Sequence, residues 1–221
     1  MDMGALEERS YRLWYDVDIR PVHQGIMLSF LDRLKQHAPS MYAHSLRVGI
    51  YSSRLAEQDS PSNRRLAVMG GCMHDIGKCG CRTELLSGRD ITLAEYEEIK
   101  AHAYEGFLML KDHLVLTAMI AGLHHWKDGR GYGATLDNLP FPLHLRTRET
   151  LVEAVKRVSI SDYFDAVQTR GNSKFGLDRE NREQVAAAIA AEYRLAPLQA
   201  SSLVGTLYDN KILWQPDSGN A

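Results

Sequence analysis

Apolar residues along this chain recur every three or four positions rather than every second one. In Met27-Leu28-Ser29-Phe30-Leu31-Asp32-Arg33-Leu34 they fall at 27, 28, 31 and 34, which is helical spacing. Pro39-Ser40 interrupts that pattern, and Ser40 is placed to cap a second helix running to about residue 57. Tyr42, Leu46, Val48, Ile50, Tyr51 and Leu55 form its broad apolar face. Ser60-Pro61-Ser62-Asn63 reads as a turn, after which helix resumes through Arg65, Leu66, Ala67, Val68 and Met69. Gly70-Gly71 lets backbones approach closely, and Gly77 and Gly80 mark the stop. Thr92-Leu93-Ala94-Glu95 has the capping-box pattern and opens a helix bearing Tyr96, Ile99, Tyr104, Phe107 and Leu108. Further helices are expected over 114–123, from about 149 to 166, and over 184–191 and 197–207. Lys127 to Gly133, with three alternating glycines, reads as a loop, and 139–142 as irregular. No segment makes a convincing strand, so the expected class is all-α. Residues 1–26 are set apart as an N-terminal extension and 27–221 as one helical domain.

Bulk composition narrows the classes. At 221 residues, 44% hydrophobic and 24% charged, the chain suits one globular core. A net charge of -2 gives no basic field for a nucleic-acid polymer, so any phosphate recognition has to be local. No apolar run approaches the roughly 18–20 residues that span a bilayer. The first residues lack a basic segment followed by an apolar one, so no signal peptide is expected. Cys72, Cys79 and Cys81 are an odd set, read as reduced thiols in a cytoplasmic protein. Cys79-Gly80-Cys81 is too close-set for a zinc ribbon.

The chemistry sits elsewhere. Met73-His74-Asp75-Ile76-Gly77-Lys78 is flanked by His44, His102, the pair His124-His125, and Asp162. Imidazole and carboxylate suit a divalent transition metal. Seven residues exceed what one ion takes, which favours two ions sharing a bridging ligand. A lone His102 on an apolar helix face would more often be a hydrogen-bonded core residue. Gly106, four residues on, removes bulk from that same face. Lys78 lies one helical turn beyond His74, where a cation beside a metal site is a phosphate partner. Asp128 and Asp165 are carboxylates able to orient histidine N–H groups, and each reads equally well as a surface residue.

With His44, His74-Asp75, His102, His124-His125 and Asp162 in this order, the chain resembles the HD superfamily of phosphohydrolases. Ile99-Lys100-Ala101-His102 followed by Gly106, then His124-His125-Trp126-Lys127-Asp128-Gly129-Arg130-Gly131-Tyr132, make it look like the HD-GYP subfamily. Ser161-Asp162-Tyr163-Phe164-Asp165-Ala166 and Arg170 match a later motif, and the likeness spans about residues 27 to 175. Gly133 stands where the subfamily's name has proline, and Ser40 where some members carry a third-metal glutamate. The resemblance implies an HD-domain helical bundle with a binuclear metal site in its core, and hydrolysis of cyclic di-GMP in bacterial signalling. It implies that His44, His74, Asp75 and Asp162 hold one ion, and that Asp75 bridges to a second held by His102, His124 and His125. It places Asp75 and Lys78 in catalysis, and Lys78, Arg130, Arg170 and Lys174 against substrate. Iron or manganese is the metal pair it implies, and the ligand set also admits zinc and nickel.

Two cations about 3.5–4 Å apart can clamp a phosphodiester and lower the pKa of a shared water. The expected partners are therefore two divalent ions and a cyclic dinucleotide substrate, with no membrane. A homodimer through the amphipathic N-terminal forty residues and a protein partner at the 128–133 loop stay open. Two other classes also stay open: a di-iron oxygenase of the same superfamily, and a non-catalytic metal-bound signalling module.

Overall fold

The computed structural model describes residues 1–127, 130–136, 143–169 and 176–213. Among these residues there are nine α-helices: α1 (Met3–Asp16), α2 (Pro21–His37), α3 (Pro39–Leu55), α4 (Pro61–Met73), α5 (Leu93–Leu110), α6 (Val115–Leu123), α7 (Leu145–Thr169), α8 (Arg182–Tyr193) and α9 (Pro197–Asp209). Two short 3-10 helices, Ile76–Gly80 and Thr83–Leu86, connect α4 to α5. One two-residue ladder joins β1 (Trp126–Lys127) antiparallel to β2 (Arg130–Gly131). The all-α expectation holds, and the ladder is too short for period-2 patterning to announce it.

The helix boundaries have local causes. α3 begins on Pro39, with Ala38 rather than Ser40 at the N-cap and no side-chain cap bond. Proline there sacrifices an N–H that would be unpaired anyway, so it starts the helix where the sequence reading had it stop one. Pro61 likewise opens α4, and Ser60 accepts from the Asn63 N–H. Thr92 and Glu95 form the expected reciprocal capping box on α5. α7 starts at Leu145, a turn earlier than the pattern indicated. Its interior apolar face carries Leu151, Val155, Val158 and Phe164, all buried.

α3 is the central helix. It packs on α1, α2, α4, α7 and α9, while α4 also touches α6 and α7. α8 and α9 pair with each other and lean on α7 and α3. α1 contributes Leu6 and Trp14 to the main core, and Val17 and Ile19 in the following turn join it, so residues 1–26 are packed against the bundle. α2 begins within that segment. No described helix is long and apolar enough to cross a membrane.

The crossing of α3 and α4 depends on two glycines. A methyl group at Gly71 would lie 2.8 Å from the Gly49 Cα and 2.9 Å from its N. The two backbones touch, which fixes His44 and His74 at neighbouring points on the paired helices. Gly71→Ala is expected to force α3 and α4 apart and destabilise the protein by about 1–3 kcal/mol. Gly25, exposed on α2, has nothing within 4 Å of such a methyl. Gly25→Ala is therefore expected to stabilise by about 0.5–1 kcal/mol. Urea unfolding of both variants measures the difference, and equal midpoints would contradict the close-approach reading.

Candidate metal centre

Four imidazoles are oriented by what binds their outer nitrogen. His74 immediately follows α4, and its Nδ1 meets the Gly71 carbonyl at 2.8 Å. His124 immediately follows α6, and its Nδ1 meets the Ala121 carbonyl at 2.7 Å. The final carbonyls of a helix lack intrahelical partners, and both histidines use that vacancy. His102 Nδ1 meets the Ile99 carbonyl within α5 at 2.6 Å. A carbonyl can only accept, so these three rings carry their proton on Nδ1. His44 Nδ1 faces Asp165 Oδ2 at 2.7 Å. Each ring is thereby left with Nε2 turned toward a common centre.

Asp75 lies between two halves of that centre. Its Oδ2 is 3.5 Å from His44 Nε2, 3.4 Å from His74 Nε2 and 2.5 Å from Lys78 Nζ. Its Oδ1 is 3.2 Å from His102 Nε2 and 3.8 Å from His124 Nε2. Asp162 Oδ1 lies 3.1 Å from His44 Nε2 and 3.8 Å from His74 Nε2. His125 stacks on Tyr132 with ring centroids 4.3 Å apart, and its own ring is 5.2 Å from that of His102. All seven residues singled out in the sequence are thus brought together. Three overlapping groups have donor atoms within 4.8 Å of one another: His44-His74-Asp75, His74-His124-Asp162 and His102-His124-His125.

The backbone under Asp75 is shaped to reach α5. Met73 ends α4, and the chain tightens into the 3-10 turn Ile76–Gly80 instead of continuing the α-helix along which Lys78 had been placed. Gly77 is pressed against α5, where a methyl group would lie 2.0 Å from the His102 carbonyl oxygen and 2.6 Å from the Gly106 nitrogen. Lys78 therefore reaches Asp75 from three residues along, and it is 6% exposed.

The electrostatics suit a cation. His44 is desolvated by burial, yet the surrounding carboxylates Asp162, Asp165 and Asp75 push it up to about 10. His74 is raised in the same way, against its burial, by Asp75 and Asp162. Burial works to raise Asp75 and Asp162, but neighbouring imidazoles, and Lys78 for Asp75, hold both well below the usual carboxylate range. Burial and then His74 and His102 lower His124 to about 3, and His125 falls in the same direction. One half of the site thus attracts positive charge, and the other keeps two histidines neutral with lone pairs available. His44 Nε2, His74 Nε2 and Asp75 Oδ1 are buried without hydrogen-bond partners. Buried polar atoms are ordinarily satisfied, so three such atoms at one point fit a bound metal.

Asp165 was one of two orienting carboxylates considered from sequence. It is fully buried, accepts from His44 Nδ1, and receives Arg47 through Nε at 2.7 Å and Nη2 at 2.9 Å. Asp128, the other, lies outside the described residues, as do Arg170 and Lys174. Arg130 is exposed, and its Nη2 donates to the Glu192 carbonyl at 3.4 Å. It lines a cavity to which none of the seven clustered residues contributes. Gly133 has φ +96°, which the proline of the subfamily name, fixed near -65°, could not adopt. Tyr132 was noted only as part of a motif, and its stacking on His125 depends on a loop path that no periodicity reports.

The family model for the HD domain matches residues 41–167. A search of curated proteins finds no match. The matched span runs from the start of α3 nearly to the end of α7, and so contains every one of the seven converging residues. By that match over more than half its length, and by a helical bundle holding His/Asp clusters able to bind divalent metal, this chain belongs to the HD-domain family of metal-dependent hydrolases.

Proposed function

We propose that the protein is a phosphodiesterase of the HD-GYP type, hydrolysing a cyclic dinucleotide, cyclic di-GMP foremost, with two divalent ions. The observation that carries this reading is the position of Asp75. One of its oxygens faces His44, His74 and Lys78, and the other faces His102 and His124. A single carboxylate presented to two imidazole sets is what a bridging ligand requires. His44, His74, Asp75 and Asp162 would hold one ion, and Asp75, His102, His124 and His125 the other, with iron or manganese the expected pair. Bound metal supplies Lewis acidity and lowers the pKa of a coordinated water.

The chain's own groups do the remaining work. Lys78 holds a buried ammonium beside Asp75, where it can offset charge that builds on a phosphate oxygen. Tyr132 lies against His125 and edge-on to His102, at 6.1 Å between centroids, and shields that side from water. Lys100 Nζ sits 5.7 Å over the Tyr132 ring and fixes it from behind. Asp165 and Arg47 hold His44 in one tautomer and one orientation, so that its Nε2 is always presented. Gly133 replaces proline in the subfamily signature, so the reading rests on the converging donors and not on that loop.

Five outcomes are expected. Purified protein given manganese and cyclic di-GMP should release linear dinucleotide or mononucleotide, measured by chromatography. Changing His74 and Asp75 together to alanine should lower that rate by at least about three orders of magnitude, because one ligand and the bridge are lost. Turnover that survives this change ends the assignment, and manganese separates it from oxygen-activating chemistry, which manganese should not support. Asp165→Asn keeps the shape but frees His44, so metal affinity by calorimetric titration should fall about 10–100-fold. The same variant removes the charge of the buried carboxylate that Arg47 pairs with and should cost about 3–5 kcal/mol of stability. Removing metal with a chelator should lower the melting temperature of the wild-type protein, since an ion that binds the folded state stabilises it by mass action.

A further inference from the structure

A separate cavity of about 220 Å³ opens between α7, the β1–β2 ladder and the junction of α8 with α9. Among the described residues, four cationic ones line it: Lys127, Arg130, Lys156 and Arg194. One carboxylate, Glu153, lines it with them. Glu153 is already engaged by Arg157 Nη1 at 3.0 Å. Lys127 pairs with Glu192 at the rim, and Arg130 donates to the Glu192 carbonyl. Among the described residues, Lys156 and Arg194 have no hydrogen-bond or ion-pair partner. Among the described residues the lining of the cavity therefore carries an excess of positive charge.

Two independent features point the same way. α9 starts at this cavity, and Gln199 of its first turn lines the wall. Its N-cap is Ala196, which offers no side chain to the first turn, and with proline at N1 the donors left there are the Leu198 and Gln199 N–H groups. Arg194, the C-cap of α8, stands at φ 51° in the left-handed region where glycine is the usual choice. The arginine at this position places its charge on the wall of the cavity. The remaining wall is apolar and aromatic, with Leu123, Trp126, Leu136 and Val155 among its residues. An apolar enclosure with a few converging polar groups is the ordinary form of a small-molecule site.

We propose that this cavity is a second ligand site, distinct from the metal centre, for a small organic phosphate whose planar or apolar part lies against Trp126. Arg194 and Lys156 pair with the phosphate, and Gln199 in the first turn of α9 donates to it. The proposal is independent of what the metal centre hydrolyses.

The test is calorimetric titration of the full chain with 5′-GMP, ribose 5-phosphate and inorganic phosphate. The expected result is saturable binding of 5′-GMP, weaker for ribose 5-phosphate and weakest for inorganic phosphate. Arg194→Gly combined with Lys156→Gln should weaken 5′-GMP by at least about tenfold, which corresponds to about 1.4 kcal/mol. Glycine is the favoured residue at that cap, so the Arg194→Gly protein should melt no lower than the wild type, and lost binding cannot be ascribed to lost fold. The His74→Ala, Asp75→Ala protein should bind 5′-GMP as the wild type does. Absence of saturable binding, or wild-type affinity in the Arg194→Gly, Lys156→Gln protein, would overturn the proposal. Binding lost with His74 and Asp75 would place the ligand at the metal centre and overturn it too. Inorganic phosphate binding as tightly as 5′-GMP would reject the apolar half of the site.

Discussion

A buried carboxylate has to be matched by positive charge, and three of them lie in the core of this bundle. Asp75 and Asp165 are essentially inaccessible, and Asp162 is 15% exposed on its side chain. Taking an ion out of water costs several kcal/mol even after relaxation, so each must be compensated where it stands. Asp165 is matched by the Arg47 fork and by His44. Asp75 has Lys78 on one oxygen and imidazole nitrogens on both sides. Asp162 has His44 and His74. The apolar bundle around them lowers the local dielectric, which strengthens their pull on a cation. What would be a liability for stability alone becomes the source of affinity for metal.

That requirement explains the packing. Gly49 and Gly71 let α3 and α4 touch, so His44 and His74 share one carboxylate. Gly77 lets the turn under Asp75 rest on the α5 backbone at His102, so the same carboxylate reaches the other half. Neither contact adds hydrophobic area. Each gives up side-chain volume to bring ligand-bearing backbones together, which larger residues in a generic helical core would not allow.

The chemistry was more legible in the residues than the boundaries were. His44, His74, Asp75, His102, His124, His125 and Asp162 stand out because imidazole and carboxylate are rare on apolar helix faces, and all seven converge. The capping box at Thr92 is a purely local signal and formed as expected. Ser40 failed as a cap because proline at a helix start competes with it and wins. The 3-10 turn beneath Asp75 was not legible, because it is imposed by contact between Gly77 and α5, far apart in sequence. The same holds for the orientation of the rings. Only the fold reveals that His74 and His124 sit where α4 and α6 leave carbonyls unpaired. Arg130 is a further case, since a motif reports its presence in a loop but not the side to which it turns.

The segment from Leu123 to Gly131 shows how one short stretch serves two environments. His124 and His125 turn toward Asp75 and Tyr132, while Leu123, Trp126, Lys127 and Arg130 line the basic cavity on the other side. The divide is enforced by backbone, since Gly131 at φ +91° comes against the His125 carbonyl, and any side chain there would collide with it. Ser159 ties the two sides, because it lines the cavity and its Oγ donates to the His124 carbonyl at 2.5 Å. His124 is thus held at its ring by α6 and at its carbonyl by α7. A substitution that moves this stretch to suit the cavity must also shift an imidazole of the metal centre. The two surfaces therefore share one stretch of backbone, held from both sides by α6 and α7.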